Sequence, residues 1–340
     1  MYSFRNDYSE GAHPLVLQAL QDTNLTQTVG YGMDPLCEEA RATIRQLCNA
    51  PEADVHFLVG GTRTNMLVIA SLLAPYEAVI AAHTGHVNVH ETGAIEASGH
   101  KVCTAYAPDG KLTPSLVESV VNSHSSEHMV HPRLVYISDT TEIGTIYTKA
   151  ELEALRDCCD KHNLFLFLDG ARLGSALASP GNDLTLSDLA ALTDAFYIGG
   201  TKNGALFGEA LVMNAANDHF RWHIKQRGAM LAKGRLLGVQ FQALLKDNLY
   251  FDMARHANEM AFRLRDGIAA LGYSFPVPSP SNQQFPVLPN TVVEQLNAKG
   301  YEFEIDHAED DTHTCVRFVT SWATPESAID TFLKDLADCN

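Results

Sequence analysis

The sequence predicts an α/β protein: a large domain with a mostly parallel, mixed sheet, and a small C-terminal α+β domain. Three observations predict it. Short apolar strands alternate with helix-sized gaps up to about residue 213, one glycine turn returns the chain at once into a further strand, and the order of elements changes after residue 245.

Strands are expected at 56–59, 78–82, 101–105, 134–138, 164–169 and 195–198, each brief, rich in branched or aromatic residues and ended by Gly, Asp, Thr or Ser. Between them, residues 65–73 carry apolar side chains at helical spacing, and Thr148 with Glu151 reads as a capping box opening a helix to about residue 162. Strand–helix–strand repeats favour a parallel sheet covered on both faces. Residues 209–213 follow the turn closely enough to lie antiparallel beside 195–198, which makes the sheet mixed. Beyond residue 245 come a long helix at 250–271, a Pro-rich stretch at 276–280, strands at 285–288, 301–305 and 316–321, and a last helix with Pro325 at its first position. The chain therefore divides into residues 1–245, with an N-terminal arm of about residues 1–20, and residues 246–340.

Lys and Arg number 24 against 41 Asp and Glu, a formal charge of -17, which repels polyanions and argues against nucleic acid or an anionic membrane as partner. An anionic ligand needs local basic residues. Seven cysteines without a CxxC pair read as reduced thiols of a cytoplasmic protein. The N-terminus lacks an apolar signal core and no apolar run is long enough to span a bilayer, so a soluble protein is expected.

Two segments carry the strongest chemical signal. The apolar run at 164–168 ends in Asp169, Gly170, Ala171 and Arg172, and the run at 195–198 ends in Gly199, Gly200, Thr201 and Lys202. Side chains just past the carboxyl ends of parallel strands face the ligand crevice. Singly, each has an ordinary reading, as a turn-capping Asp, a surface Arg and a solvated Lys. Jointly they are specific, because pyridoxal phosphate needs an amine for its Schiff base and a carboxylate to keep its ring nitrogen protonated. A third segment, Val59, Gly60, Gly61 and Thr62 leading to Asn65, passes through glycines into a helix, whose free N–H groups suit a phosphate. It is neither a GxGxxG fingerprint nor a Walker loop.

On these residues the chain resembles the low-specificity L-threonine aldolases, of the threonine aldolase and β-eliminating lyase family within the fold-type I, aspartate-aminotransferase-like pyridoxal phosphate enzymes. The matches run from Asn6, Asp7, Tyr8 and Ser9 through Gly30, Tyr31 and Gly32, Gly60 to Thr62, His86 with Glu91 and Gly93, the DGAR and GGTKNG motifs, to Arg317 and Trp322. Nearly the whole chain is covered, with 276–310 contributing little. The resemblance implies pyridoxal 5′-phosphate held as an aldimine on Lys202, and cleavage of L-threonine, L-allo-threonine and related β-hydroxy amino acids to glycine and an aldehyde. It implies that His86 stacks on the ring, that Gly61, Thr62 and Thr201 hold the phosphate, and that Asp169 pairs with the ring nitrogen. By the same resemblance, Arg172, also at the cofactor, and Arg317 would receive the substrate carboxylate, with Asn6, Tyr31 and Glu142 on the substrate side of the site.

Glu142 stands where one branch of that family carries a histidine, which leaves His86, Glu142 or an ordered water to accept the hydroxyl proton, with His86 preferred. Tyr8 stands where many relatives have a small hydroxyl residue. His83, His86 and His90 fall at helical spacing and suggest zinc, but that reading leaves Lys202 and Asp169 unexplained, so no metal is expected. The rival is another reaction on the same cofactor, β-elimination, transamination or decarboxylation, because the fold does not fix the bond broken. By resemblance the chain forms a homotetramer, a dimer of dimers. Arg227, Lys233 and Arg235 then reach a neighbouring site or, for most of them, stay solvated on a helix.

Overall fold

A computed structural model of the chain describes residues 2–214 and 217–339. Seven strands form the main sheet: β1 (Asp54–Leu58), β2 (Glu77–Ala82), β3 (Val102–Ala105), β4 (His131–Ser138), β5 (Phe165–Asp169), β6 (Ala195–Gly199) and β7 (Glu209–Met213), in the spatial order β1-β7-β6-β5-β4-β2-β3. The β6–β5–β4–β2–β3 run is parallel, and β7 is antiparallel to both β6 and β1. The expected return after the glycine turn is therefore present, and β7 alone runs against the rest. The expectation that the first strand occupies 56–59 is corrected to Asp54–Leu58, since Val59 and Gly60 already turn toward the helix Gly61–Leu72, four residues earlier than the apolar spacing suggested.

Alternation along the central strands explains the layering. Val135, Ile137, Leu166, Leu168, Phe196 and Ile198 face one apolar cluster, while Leu134, Tyr136, Phe167, Ala195 and Tyr197 face the other. Both faces are dry, as parallel strands require. The helix Lys149–Lys161 opens with the expected Thr148–Glu151 capping box.

A third cluster gathers Met260, Leu264 and Ile268 of the long helix Leu249–Ala270 with Val316, Phe318 and Phe332, and it takes in Phe4 from the N-terminus. The second sheet contains β8 (Gln283–Gln284), β9 (Val287–Pro289), β10 (Glu304–Ala308) and β11 (His313–Val319). Three expectations shift here. The strand at 285–288 is split around Phe285 and Pro286, as a residue without a backbone donor breaks a ladder. The strands expected at 301–305 and 316–321 begin and end about three residues away. Pro325 is the cap, not the first residue, of the last helix Glu326–Ala337. Among the described residues no helix is long and apolar enough to cross a membrane, and all seven cysteines are buried free thiols.

Candidate active site

The carboxyl ends of β1, β4, β5 and β6 and the start of the reversed β7 meet at one edge of the sheet, around a cavity of about 320 Å³. Its wall includes Gly60, Gly61, Thr62, Asn65, His86, Glu142, Asp169, Arg172, Tyr197, Thr201, Lys202 and Glu209, with Tyr8 at the mouth. The amine and the acid singled out in the sequence thus share one cavity.

Asp169 closes β5 and is 4% exposed. Its Oδ2 accepts from the Tyr136 hydroxyl at 2.6 Å and from Asn65 Nδ2 at 2.9 Å; its Oδ1 accepts from the Tyr197 hydroxyl at 2.5 Å and from the Ala171 N–H at 3.0 Å. Burial opposes its charge, but nearby His86 and these donors outweigh burial and hold the carboxyl below its ordinary range. Strand alternation brings both tyrosines here: Phe167 and Asp169 lie on the sheet face that Tyr136 and Tyr197 share. Neither tyrosine was singled out in the sequence.

Lys202 follows the turn after β6. Burial and the like charge of Arg172 lower its amine's proton affinity, against Asp7, Asp169 and Glu209. The Tyr8 ring lies 5.9 Å from Nζ. Gly170 lets the end of β5 pack closely on β6: a Cβ there would overlap the Tyr197 carbonyl oxygen.

The helix Gly61–Leu72 starts at the cavity with no side-chain cap on its first N–H groups. Those donors are free for an anion. Asn65, one turn in, joins two carboxylates, since its Nδ2 donates to Asp169 and, at 2.7 Å, to Glu91 Oε1. Glu91 also pairs with His86 Nδ1 at 2.8 Å. His83 turns its Nδ1 to the Ala107 N–H instead, so His83 and His86, two of the three histidines at helical spacing, serve different partners. Glu142 Oε1 accepts from the His86 N–H at 2.9 Å and the Ser138 hydroxyl at 2.7 Å. Burial, helped by Asp169 and opposed by Ser138, raises its carboxyl above the ordinary value.

The arginines differ from one another. Arg172 forks onto buried Asp7, Nε to Oδ2 at 2.7 Å and Nη2 to Oδ1 at 3.1 Å, and Asn282 adds a bond to Oδ2 at 2.9 Å. Two of its donors are thereby taken within the chain. Arg317, on β11, has a buried Nε without a partner, and burial with the like charge of Arg172 lowers its affinity for its proton. Asp7 was quoted in the sequence only as part of a matching run; a buried Asp beside the cavity gives no local pattern.

Three expected substrate residues are not part of the cavity wall: Arg317, which stands close enough to Arg172 to feel its charge, Asn6 and Tyr31. Asn6 uses its Oδ1 to accept from the Tyr8 N–H and the Ser9 hydroxyl, both at 3.0 Å, a turn that delivers Tyr8 instead. Tyr31 lies in a separate small pocket, 46% exposed, with Lys225 Nζ 5.0 Å from its ring. Arg235 donates to the carbonyls of Thr23 and Asn24.

The donor set fits pyridoxal phosphate: an amine of lowered proton affinity, a buried carboxylate held ionised, and an uncapped helix start all line one cavity.

The beta-eliminating lyase family model matches residues 7–290. A low specificity L-threonine aldolase of Pseudomonas aeruginosa is 32% identical over 339 residues, 98% of this chain and 96% of that one. A threonine aldolase structure from Leishmania major is 51% identical with a TM-score of 0.97, covering 99% of each chain. An aspartate aminotransferase of Thermus thermophilus shares the fold, with a TM-score of 0.73 at 17% identity over 98% of this chain and 89% of that one.

Proposed function

We propose, for a chain that belongs to the beta-eliminating lyase family and within it to the low-specificity L-threonine aldolases, cleavage of L-threonine, L-allo-threonine and related β-hydroxy amino acids to glycine and an aldehyde. One observation carries the reading: Lys202, ionised Asp169 and the uncapped start of Gly61–Leu72 line one cavity. Pyridoxal phosphate, when bound, supplies a carbonyl for an amine to condense with and a protonated ring that takes up electrons released at Cα. Gly61, Thr62 and Thr201 hold its phosphate.

Lys202 is the condensing amine, and its lowered proton affinity favours the neutral nucleophile. Asp169 keeps a proton on the ring nitrogen. Arg317, with a buried donor to spare, receives the substrate carboxylate, and Arg172, fixed by Asp7, supports it with its remaining nitrogen. Together they would fix the substrate carboxylate and so orient the Cα–Cβ bond for cleavage. His86 would stack on the bound ring; its Nδ1 lies against Glu91, which leaves Nε2 to face the substrate hydroxyl and take its proton. Glu142, hydrogen-bonded to the His86 amide and raised toward neutrality, is the second candidate for that proton.

Exposed apolar side chains, among them Leu25 at 92%, Val29 at 66%, Met33 at 60% and Trp222 at 71%, support assembly as a homotetramer, a dimer of dimers. Buried reduced thiols support a cytoplasmic setting. The division at residue 245/246 belongs to the same proposal; the helix Leu249–Ala270 just after it straddles the two parts, giving Tyr250 and Met253 to the sheet's cluster and Met260 onward to the smaller one.

The test is the product. Purified enzyme loaded with pyridoxal phosphate is expected to release glycine and acetaldehyde from L-threonine and L-allo-threonine. A keto acid in place of glycine sinks the aldolase and supports β-elimination or transamination.

A further inference from the structure

Glu209 is 3% exposed in the cavity wall, and the reaction above gives it no task. It opens β7, in register with Gly199 of β6 and Leu58 of β1, and it clasps the lysine turn. Oε2 accepts from the Gly200 N–H at 2.9 Å and Oε1 from the Thr201 hydroxyl at 2.8 Å, while Thr201 Oγ1 accepts from the Gly208 N–H at 3.0 Å. A threonine hydroxyl has one proton to donate. In this arrangement it goes to Glu209, so Thr201 has none for a phosphate.

We propose that Glu209 is a positioning residue that takes up a proton when a phosphate ester enters the cradle of Gly61, Thr62 and Thr201, which frees the Thr201 hydroxyl to donate to that phosphate. The proton comes from solvent and no other covalent bond changes. The same geometry serves both states with one hydrogen bond reversed. Protonated Glu209 donates from Oε1 to Thr201 Oγ1, Oε2 still accepts from Gly200, and the threonine proton turns to the ligand.

The groups around Glu209 favour this exchange. Asp169 of β5 opposes its charge, Lys202 beyond β6 favours it, and the Tyr197 and Tyr250 hydroxyls are close enough to feel it. β1 and the helix Arg235–Leu245 bring Leu58 opposite Glu209, Leu237 and Phe241 against the turn's glycines, and the uncharged Gln240, whose Oε1 accepts from the Leu206 N–H at 2.8 Å. Burial, countered by Thr201, Gly200 and Lys202, already leaves the carboxyl at about 7. A phosphate dianion adds like charge and pushes it further toward the neutral form.

The inference rests on the phosphate placement proposed above, and the experiment separates the two. Apoenzyme is titrated calorimetrically with 4-deoxypyridoxine 5′-phosphate, which has ring and phosphate but no aldehyde, in two buffers of different ionisation enthalpy. At about pH 8 the phosphate is dianionic and Glu209 mostly ionised, so the wild type should take up more protons per ligand than Glu209→Gln, the excess approaching about one. Wild-type affinity should fall by up to about tenfold per pH unit above neutrality while that of Glu209→Gln stays level, because the amide imitates the protonated acid. Equal proton uptake and equal slopes overturn the inference and leave the cradle standing; a wild type that does not bind the ligand overturns both. Thr201→Val serves if Glu209→Gln does not fold: removing the hydroxyl should reduce the slope, and an unchanged slope counts against the proposal.

Discussion

Asp169, Glu209 and Asp139 are all buried carboxylates at the ends of strands in one sheet, yet their protons behave differently. Asp169 receives four hydrogen bonds and stays ionised below the ordinary range. Glu209 receives two and stands at about 7. Asp139, just past β4, has an Oδ1 without a partner among the described residues, and burial carries it to about 8. Burial alone does not decide a buried acid's charge; the donors aimed at it and the charges beside it, His86 at Asp169 and Lys202 at Glu209, do. The Asp169 end of the cavity is built to hold a negative charge, and the lysine-turn end is built to give one up.

The largest effect is expected where the charge matters most. Asp169→Asn keeps shape and removes charge, and should lower kcat by about 10²–10³-fold, a loss typical of a preorganised electrostatic group. Steady-state kinetics check this, and an equal loss in Glu209→Gln breaks the comparison. Arg317→Ala should raise KM for threonine about 10–100-fold, the worth of hydrogen bonds to a charged group, with a smaller change in kcat. A change confined to kcat means that another group receives the carboxylate.

Tyr197→Phe removes one of the four donors to Asp169. Fewer donors raise its proton affinity, so the acid limb of the kcat/KM profile should move to higher pH, by about one unit. An unmoved limb means that the remaining donors suffice. The smallest effect concerns stability. Because the folded Asp139 carboxyl is raised from 3.8 to about 8, the folded state binds more protons than the unfolded state across that window, and stability falls as pH rises through it. Asp139→Asn should match the wild type in Tm near the acid end and exceed it by several degrees above about pH 8. Parallel melting curves at every pH contradict the role assigned to missing donors.

The sheet was legible because short apolar strands, capping residues and glycine turns are local signals. Lys202, Asp169 and Arg172 were legible for the same reason, each ending a readable strand or turn. The partners that set their chemistry are distant in sequence. Tyr136 and Tyr197 meet Asp169 through the shared face of three strands, and period-two alternation from Phe167 to Asp169 was the signal that could have found them. Asp7 reaches Arg172 across 165 positions, and Asn65 reaches Asp169 across 104, with no pattern between. Asn6 and Tyr31 were drawn to the site by resemblance, and the chain alone seats one in a turn and the other in a separate pocket.

The central claim is that Lys202 is the amine that meets the cofactor beside Asp169. Holoenzyme made with pyridoxal phosphate, reduced with borohydride and digested with protease, reports it directly by mass spectrometry. The pyridoxyl group is predicted on the peptide containing Lys202 and on no other lysine in stoichiometric amount. A stoichiometric label elsewhere, or none on a protein that retains activity, contradicts the account.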